Sequence, residues 1–202
     1  VIYLSRLLLN PVCGRVQVDL QDPYQMHRTL CRGFGDHPGE LSAARCLFRV
    51  EQEGGPVGVL VQSLLRPQWH RLSALPGYLI APPDTKAFAP GFAAGERLAF
   101  RLHANPTVKR RGKRLGLSHR EAQYDWLRRK AQQHGFAVRS AAVGPPRPVD
   151  CCAGEGRVAH FLGVTFDGVL QVTDSARLTC GLTRGIGSGK AFGFGLLSLA
   201  RV

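Results

Sequence analysis

From Ile2 to Leu9 the chain is an apolar run of Ile, Tyr and Leu broken only by Ser5 and Arg6, which predicts a strand. The pattern then changes period. Met26, Leu30 and Phe34 recur at helical spacing and predict one apolar helix face. Asp22 can cap that helix, and Pro23 suits its first turn, where a missing N–H costs nothing. Gly33 and Gly35 help to end it. Two strands are expected at Arg45 to Glu51 and Val57 to Leu65, turning at Gly54-Gly55, followed by a short helix over Pro67 to Leu75. Pro76 to Gly95, rich in Pro and Gly, predicts an edge strand and an inter-domain link.

A second unit begins near Glu96. Arg97 to His103 alternates apolar and polar residues, as a half-buried strand does. Lys109 to Arg114 reads as a basic loop. Ser118-His119-Arg120-Glu121 is a capping-box pattern for a helix to about His134, closed by Gly135. Tyr124, Leu127 and Ala131 form its apolar face. Trp126 lies off that face, where it can pack between domains or stack on a base. Strands are expected over Val158 to Phe166 and Val169 to Thr173, turning at Asp167-Gly168, and Asp174 caps a further short helix. A last strand covers Leu196 to Val202. Each half approximates strand–helix–strand–strand–helix–strand, the ferredoxin-like order that RNA-recognition domains share. The predicted class is α+β, with two tandem ferredoxin-like (RRM-like) domains over residues 1–90 and 96–202.

Charge narrows the partner. The 202 residues include 27 Lys and Arg against 14 Asp and Glu, a net charge of +13, and the pI is about 10.3. That excess favours a polyanion. No apolar run approaches the roughly 20 residues of a membrane span, and Val1 to Asn10 lacks a cleavable-signal layout. No membrane is therefore expected, and the cytoplasm is the default compartment. Cys13, Cys31, Cys46, Cys151, Cys152 and Cys180 make no C-x-x-C pair, so free thiols are expected rather than a zinc ribbon. Cys31 and Cys46 read as core residues, and Cys151-Cys152 as exposed.

Gly185 to Gly195, reading GIGSGKAFGFG, is the most distinctive segment. Arg184 and Ala191 stand where a P-loop needs Gly and Ser or Thr. No glycine triplet has the dinucleotide spacing. Lys190, Phe192, Gly193 and Phe194 match part of an RNA-recognition strand, but the chain ends where a helix should follow. Two readings stay open: a cradle in which the backbone of Gly187 and Gly189 approaches phosphate beside Lys190, and a turn leading into a packed strand. Lys109, Arg110, Arg111, Lys113 and Arg114 are the densest basic run. They read as an RNA-backbone contact, against the alternative of a solvated charge run.

Several segments occur in a telling order: Tyr3-Leu4-Ser5-Arg6-Leu7-Leu8-Leu9-Asn10-Pro11, then Asp22-Pro23-Tyr24-Gln25-Met26-His27-Arg28-Thr29-Leu30, then Phe100-Arg101-Leu102-His103-Ala104-Asn105-Pro106 with the basic run, and finally Gly185 to Leu197. Together they resemble the repeat-cleaving endoribonucleases of type I-E CRISPR systems, the CasE-like family, along the whole chain. The resemblance implies two ferredoxin-like domains that bind the CRISPR repeat hairpin and cut precursor RNA at the 3′ base of the stem without a metal or other cofactor. It also implies retention of the product among the other subunits of Cascade. The His and Tyr of the family's D-P-Y-x-x-H segment fall on His27 and Tyr24. The chain departs from the family at Asp150 to Arg157, where a hairpin usually rich in basic residues offers only Arg157.

Metal-free cleavage can use the RNA's own 2′-OH as nucleophile, leaving a 2′,3′-cyclic phosphate and a 5′-OH. It needs a base, an acid for the leaving oxygen, and donors for the phosphorane charge. An imidazole can serve as base or acid. Tyr24 and His27, three residues apart, are neighbours on one helix, and at about 100° per residue His27 borders the Met26/Leu30/Phe34 face. Arg28 can assist electrostatically. Read from the helix alone, these residues are simply the edge of an amphipathic helix, and only the family resemblance makes His27 a catalytic candidate; a noncatalytic hairpin-binding subunit is the alternative function. Truncating the five cations of Lys109 to Arg114 is expected to weaken RNA binding and to lower the log–log salt slope by about 0.7–0.9 for each phosphate no longer neutralised. Filter binding across a salt series reads the slope, and an unchanged slope would refute the contact.

Overall fold

A computed structural model describes residues 1–51, 56–152 and 158–202. It is a mixed α/β structure with antiparallel sheets, and the chain divides into two units. The first comprises Val1–Pro90, Cys151–Val158 and Ala191–Gly193. The second comprises Gly91–Asp150, Ala159–Lys190 and Phe194–Val202.

In the first unit, β1 (Ile2–Leu9) leads into α1 (Gly14–Gln21), α2 (Pro23–Cys31), a single 3-10 turn (Arg32–Phe34) and α3 (Pro38–Ala44). Then come β2 (Leu47–Glu51), β3 (Val57–Ser63), the short α4 (His70–Ser73) and β4 (Asp84–Phe88). The strands form one sheet in the order β2-β3-β1-β4, antiparallel throughout. The expected strand at the start, the α2 helix, the two central strands, the short helix and the edge strand all form. The turn expected at Gly54-Gly55 lies outside the described residues. The apolar face of α2 closes on the sheet: Met26 and Leu30 are fully buried with Leu7, Leu9, Phe48, Val59 and Val61.

Two helices were not anticipated. In α1, Val16, Val18 and Leu20 alternate with polar residues in a strand-like rhythm, yet the segment is helical. Tertiary contacts account for this: Val16 is buried, and the buried Asp19 is held by Arg15 at 3.1 Å and by the Tyr78 hydroxyl, which donates to it at 2.7 Å. The helix α3 starts on Pro38 and ends at Arg45, whose positive φ of 51° delays β2 to Leu47 rather than the expected Arg45.

The second unit, apart from Cys151–Val158 and Ala191–Gly193, which belong to the first, runs β5 (Arg97–Ala104), β6 (Thr107–Arg110), β7 (Lys113–Gly116), α5 (Arg120–Gln133), β8 (Phe136–Val143), β9 (Arg147–Cys152), β10 (Val158–Val172), α6 (Ser175–Arg184), a 3-10 turn (Lys190–Phe192) and β11 (Leu197–Arg201). Its main sheet has the order β11-β5-β10-β8, with β9 pairing along β10. Alternate residues Leu98, Phe100, Leu102 and Ala104 of β5 are buried, as the period-2 pattern predicts. From the helices, Leu127 and Ala131 and then Leu178 and Leu182 join this core. Asp174 caps α6 as expected, accepting from the Arg177 N–H at 2.9 Å.

Four details differ from the sequence reading. The capping box does not form: His119 is the N-cap and makes no side-chain cap bond, so α5 starts at Arg120. Trp126 is not free to stack on a base. It is buried and stacks on Phe166 at 6.0 Å within the second unit. Cys151 is buried, and only Cys152 of that pair is exposed. Finally, Asp167-Gly168 is no turn, because β10 runs straight through it. β5 pairs on one side and β8 on the other, and Asp167 makes a 2.7 Å salt bridge to Arg101 opposite. Gly168 serves close approach instead, since a Cβ there would collide with the Ser140 carbonyl.

Gly168→Ala is therefore expected to destabilise the protein by about 1–3 kcal/mol through overpacking. In contrast, Gly39→Ala, with nothing within 4 Å of the new methyl, leaves stability unchanged or raises it by up to about 1 kcal/mol. Urea denaturation of both variants checks the contrast.

Candidate active site and nucleic-acid interface

The helix α2 positions the candidate chemistry. Its start is held by Asp22, whose carboxylate accepts from the Tyr24 N–H at 3.0 Å, with Pro23 in the first turn. Its inner face is anchored by Met26, Thr29 and Leu30, and Arg15 donates to the Thr29 hydroxyl at 2.6 Å. His27 and Tyr24 are half-buried beside this face, and Arg28 is exposed. That is the border position helical spacing implies.

Each of the two side chains has an aromatic neighbour that sequence spacing does not reveal. The His27 ring stacks on Phe48 of β2, with centroids 6.2 Å apart and planes at 20°. The Tyr24 ring lies 6.1 Å from Phe192. Phe192 belongs to the Ala191–Gly193 segment of the first unit. Gly193 there has a φ of 81°, and a Cβ on it would lie 3.3 Å from the Phe48 ring.

A third neighbour is a thiol. Cys31 lies one turn after His27, with its Sγ 3.5 Å from the imidazole Nε2. Cys46 shares a hydrogen bond with Cys31, and that bond, with help from His27 and against the cost of burial, pulls the Cys31 thiol down to about 5. Cys46 is pushed up, first by its bond to Cys31 and then by burial, so it keeps its proton and donates. The sequence carried one signal for this cluster, the i, i+4 spacing of His27 and Cys31. The contact with Cys46 is tertiary.

The second unit carries the cations. Lys109 to Arg114 is not a loop but the end of a two-stranded hairpin, β6–β7, turning at Arg111-Gly112, where both residues have positive φ, 46° and 78°. Lys109 sits directly opposite Arg114, and Arg110 opposite Lys113. Like charges across a ladder are destabilising. All five side chains are exposed, and among the described residues none has an acidic partner. In the same unit, burial and the charges of Arg129 and Arg114 pull Lys130 below its ordinary value. Burial, Lys130 and Lys190 do the same to His134. Positive potential is thus concentrated around α5 and the hairpin.

Gly187 and Gly189 have φ of 89° and 76°. A Cβ there would press on rings, 3.1 Å from Trp126 if added at Gly187 and 2.8 Å from Phe194 if added at Gly189. These glycines thus let the backbone approach aromatic rings closely, and Lys190 begins the 3-10 turn that follows. Arg157 lies outside the described residues.

Residues 2–201 match the family described as CRISPR associated protein. The chain belongs to that family. The CRISPR-associated endoribonuclease Cse3 of Thermus thermophilus is 37% identical over 98% of this chain and 99% of the relative. The Cascade subunit CasE of Escherichia coli is 34% identical over 98% of each. Among solved structures, Thermus thermophilus Cse3 bound to an RNA representing a pre-cleavage complex aligns with a TM-score of 0.86, at 34% identity over 98% of each chain. Within this CRISPR-associated family the present chain pairs a His27 edge with two thiols.

A thiol held near 5 stays a thiolate, the reactive form, down to mildly acidic pH. Alkylation of Cys31 by iodoacetamide, followed by peptide mass spectrometry, is expected to fall off only as pH drops through about 5. A midpoint near the ordinary cysteine value of about 8.5 would contradict the cluster.

Proposed function

We propose that this protein is the endoribonuclease of a type I-E CRISPR system. It binds the hairpin of the CRISPR repeat, cuts precursor RNA at the 3′ base of the stem, and stays on its product among the other subunits of Cascade, in the cytoplasm. The observation that carries this reading is the half-buried imidazole of His27, at the edge of a firmly packed helix, in a chain that an RNA-bound endoribonuclease matches from end to end. Two tandem ferredoxin-like domains, residues 1–90 and 96–202, divide the work. In support, both sheets have the strand order 4-1-3-2 when each unit's four main strands are counted along the chain.

The 2′-OH of the nucleotide before the scissile linkage attacks phosphorus. Its proton goes to a base, the bond to the 5′-oxygen breaks with its electron pair, and that oxygen takes a proton. The products are a 2′,3′-cyclic phosphate and a 5′-OH. No metal takes part. His27 handles one of the two protons. Its ring, held by Phe48 on one face, is constrained without being sealed from a ligand. Tyr24 donates a hydrogen bond to a phosphate oxygen, because a phenol is a poor base near neutrality. Arg28, exposed one residue beyond His27, adds positive charge for the phosphorane.

Lys109, Arg110, Arg111, Lys113 and Arg114 grip the stem's phosphates. A-form RNA hides its bases in a deep, narrow groove and is read through backbone and shape. The opposed like charges of the hairpin support this, since a polyanion relieves their repulsion. Arg157 extends the grip, and Gly187, Gly189 and Lys190 approach the backbone.

A labelled repeat hairpin incubated in EDTA tests the reading. The parent is expected to cut at one position, and His27→Ala to lose about 10²–10⁴-fold in rate with hairpin affinity retained. Equal cutting by the variant would remove His27 from the mechanism, and tight binding without cutting by the parent would favour a noncatalytic hairpin-binding subunit.

A further inference from the structure

Two thiols beside the proposed catalytic imidazole are not needed for proton transfer to RNA. We propose that His27, Cys31 and Cys46 form a zinc site, and that occupancy by Zn2+ withdraws the His27 ring from catalysis. The second clause rests on the catalytic reading of His27; the first does not.

The geometry carries the site. One ring nitrogen of His27 and the two sulfurs all lie within 4.8 Å of one another. Around a tetrahedral zinc, Zn–N near 2.0–2.1 Å and Zn–S near 2.3 Å place nitrogen and sulfur roughly 3.6 Å apart and two sulfurs roughly 3.8 Å apart. The observed distance from His27 Nε2 to Cys31 Sγ is 3.5 Å, already one edge of that tetrahedron. The i, i+4 spacing on α2 sets this edge. Cys46, placed just before β2, supplies the third corner from a different element.

The donor chemistry selects the ion. Two thiolates and one imidazole suit Zn2+ and disfavour Mg2+ or Ca2+, which take oxygen. Three protein ligands leave a fourth position to solvent, reached from the half-exposed side of His27. Both sulfurs bind as thiolates, so the ion displaces the protons of Cys31 and Cys46 to solvent. A ring nitrogen bonded to zinc can neither take nor give a proton, so zinc and cleavage compete for one atom.

The test uses the full chain in reducing buffer with a non-thiol reductant, which keeps the two sulfurs from oxidising to a disulfide. Cobalt(II) added to the protein is expected to give a thiolate-to-cobalt charge-transfer band and the visible bands of a tetrahedral site, saturating at one equivalent. Zinc should bleach both. Cys46→Ser and, separately, Cys31→Ser should weaken binding by at least the roughly 10–100-fold that losing an outer partner of a metal ligand costs. Absence of the bands, or bands of equal strength in both variants, overturns the site. In parallel, one equivalent of zinc is expected to slow hairpin cleavage by about 10²-fold or more in the parent and to leave Cys46→Ser nearly unaffected. Bands that appear while zinc-loaded parent still cuts at full rate would keep the metal site and overturn the catalytic role of His27.

Discussion

The burial of one stripe of α2 sets the position of everything proposed for the active site. Met26 and Leu30 are sealed from solvent against β1, β2 and β3, and Asp22 caps the helix that presents them. Full burial of two such side chains contributes about 1.5–3 kcal/mol each, enough to fix the rotation of a helix of this length. With that rotation fixed, Tyr24 and His27 fall at the rim. Phe48, itself a core residue, then limits the His27 ring from one side. A residue pulled deeper would lose access to a ligand, and one rotated outward would lose its constraint.

The second unit has the opposite energetic character. Lys109 faces Arg114 and Arg110 faces Lys113 across a short ladder whose tip is fully exposed. The hairpin is held at its base, where the Leu117 N–H donates to the Pro106 carbonyl and the Gln123 amide to the Leu117 carbonyl. A charge arrangement that opposes its own fold is understandable when the occupied state contains phosphates. Lys130 and His134, both shifted toward their neutral forms by burial and neighbouring cations, belong to the same field.

Local signals were legible where local physics decides. Asp22 and Asp174 cap their helices, β1 and β5 follow their apolar patterns, and the Met26–Leu30 stripe is buried. Where tertiary contacts decide, the pattern misled. Val16, Val18 and Leu20 have a strand's rhythm but form a helix stabilised through Asp19 and Tyr78. Asp167-Gly168 has a turn's composition but sits between two paired strands, where only glycine clears the Ser140 carbonyl. The active-site candidates followed the same rule. His27 and Tyr24 were readable from one helix and a family resemblance. Phe48, Phe192 and Cys46 reach them only through the fold, from 19 to 168 positions away along the chain.

The proposed chemistry requires the rim imidazole of α2 to meet the scissile linkage. The most direct measurement is a crystal structure of the protein with a repeat hairpin carrying a single 2′-deoxy nucleotide before the cut, which removes the nucleophile and preserves the other RNA contacts. A ring nitrogen of His27 is predicted within about 2.6–3.2 Å of the leaving 5′-oxygen, or of the point where the 2′-oxygen of the natural nucleotide would sit. A bound hairpin whose backbone passes the first unit with no nucleotide near His27 would contradict the account.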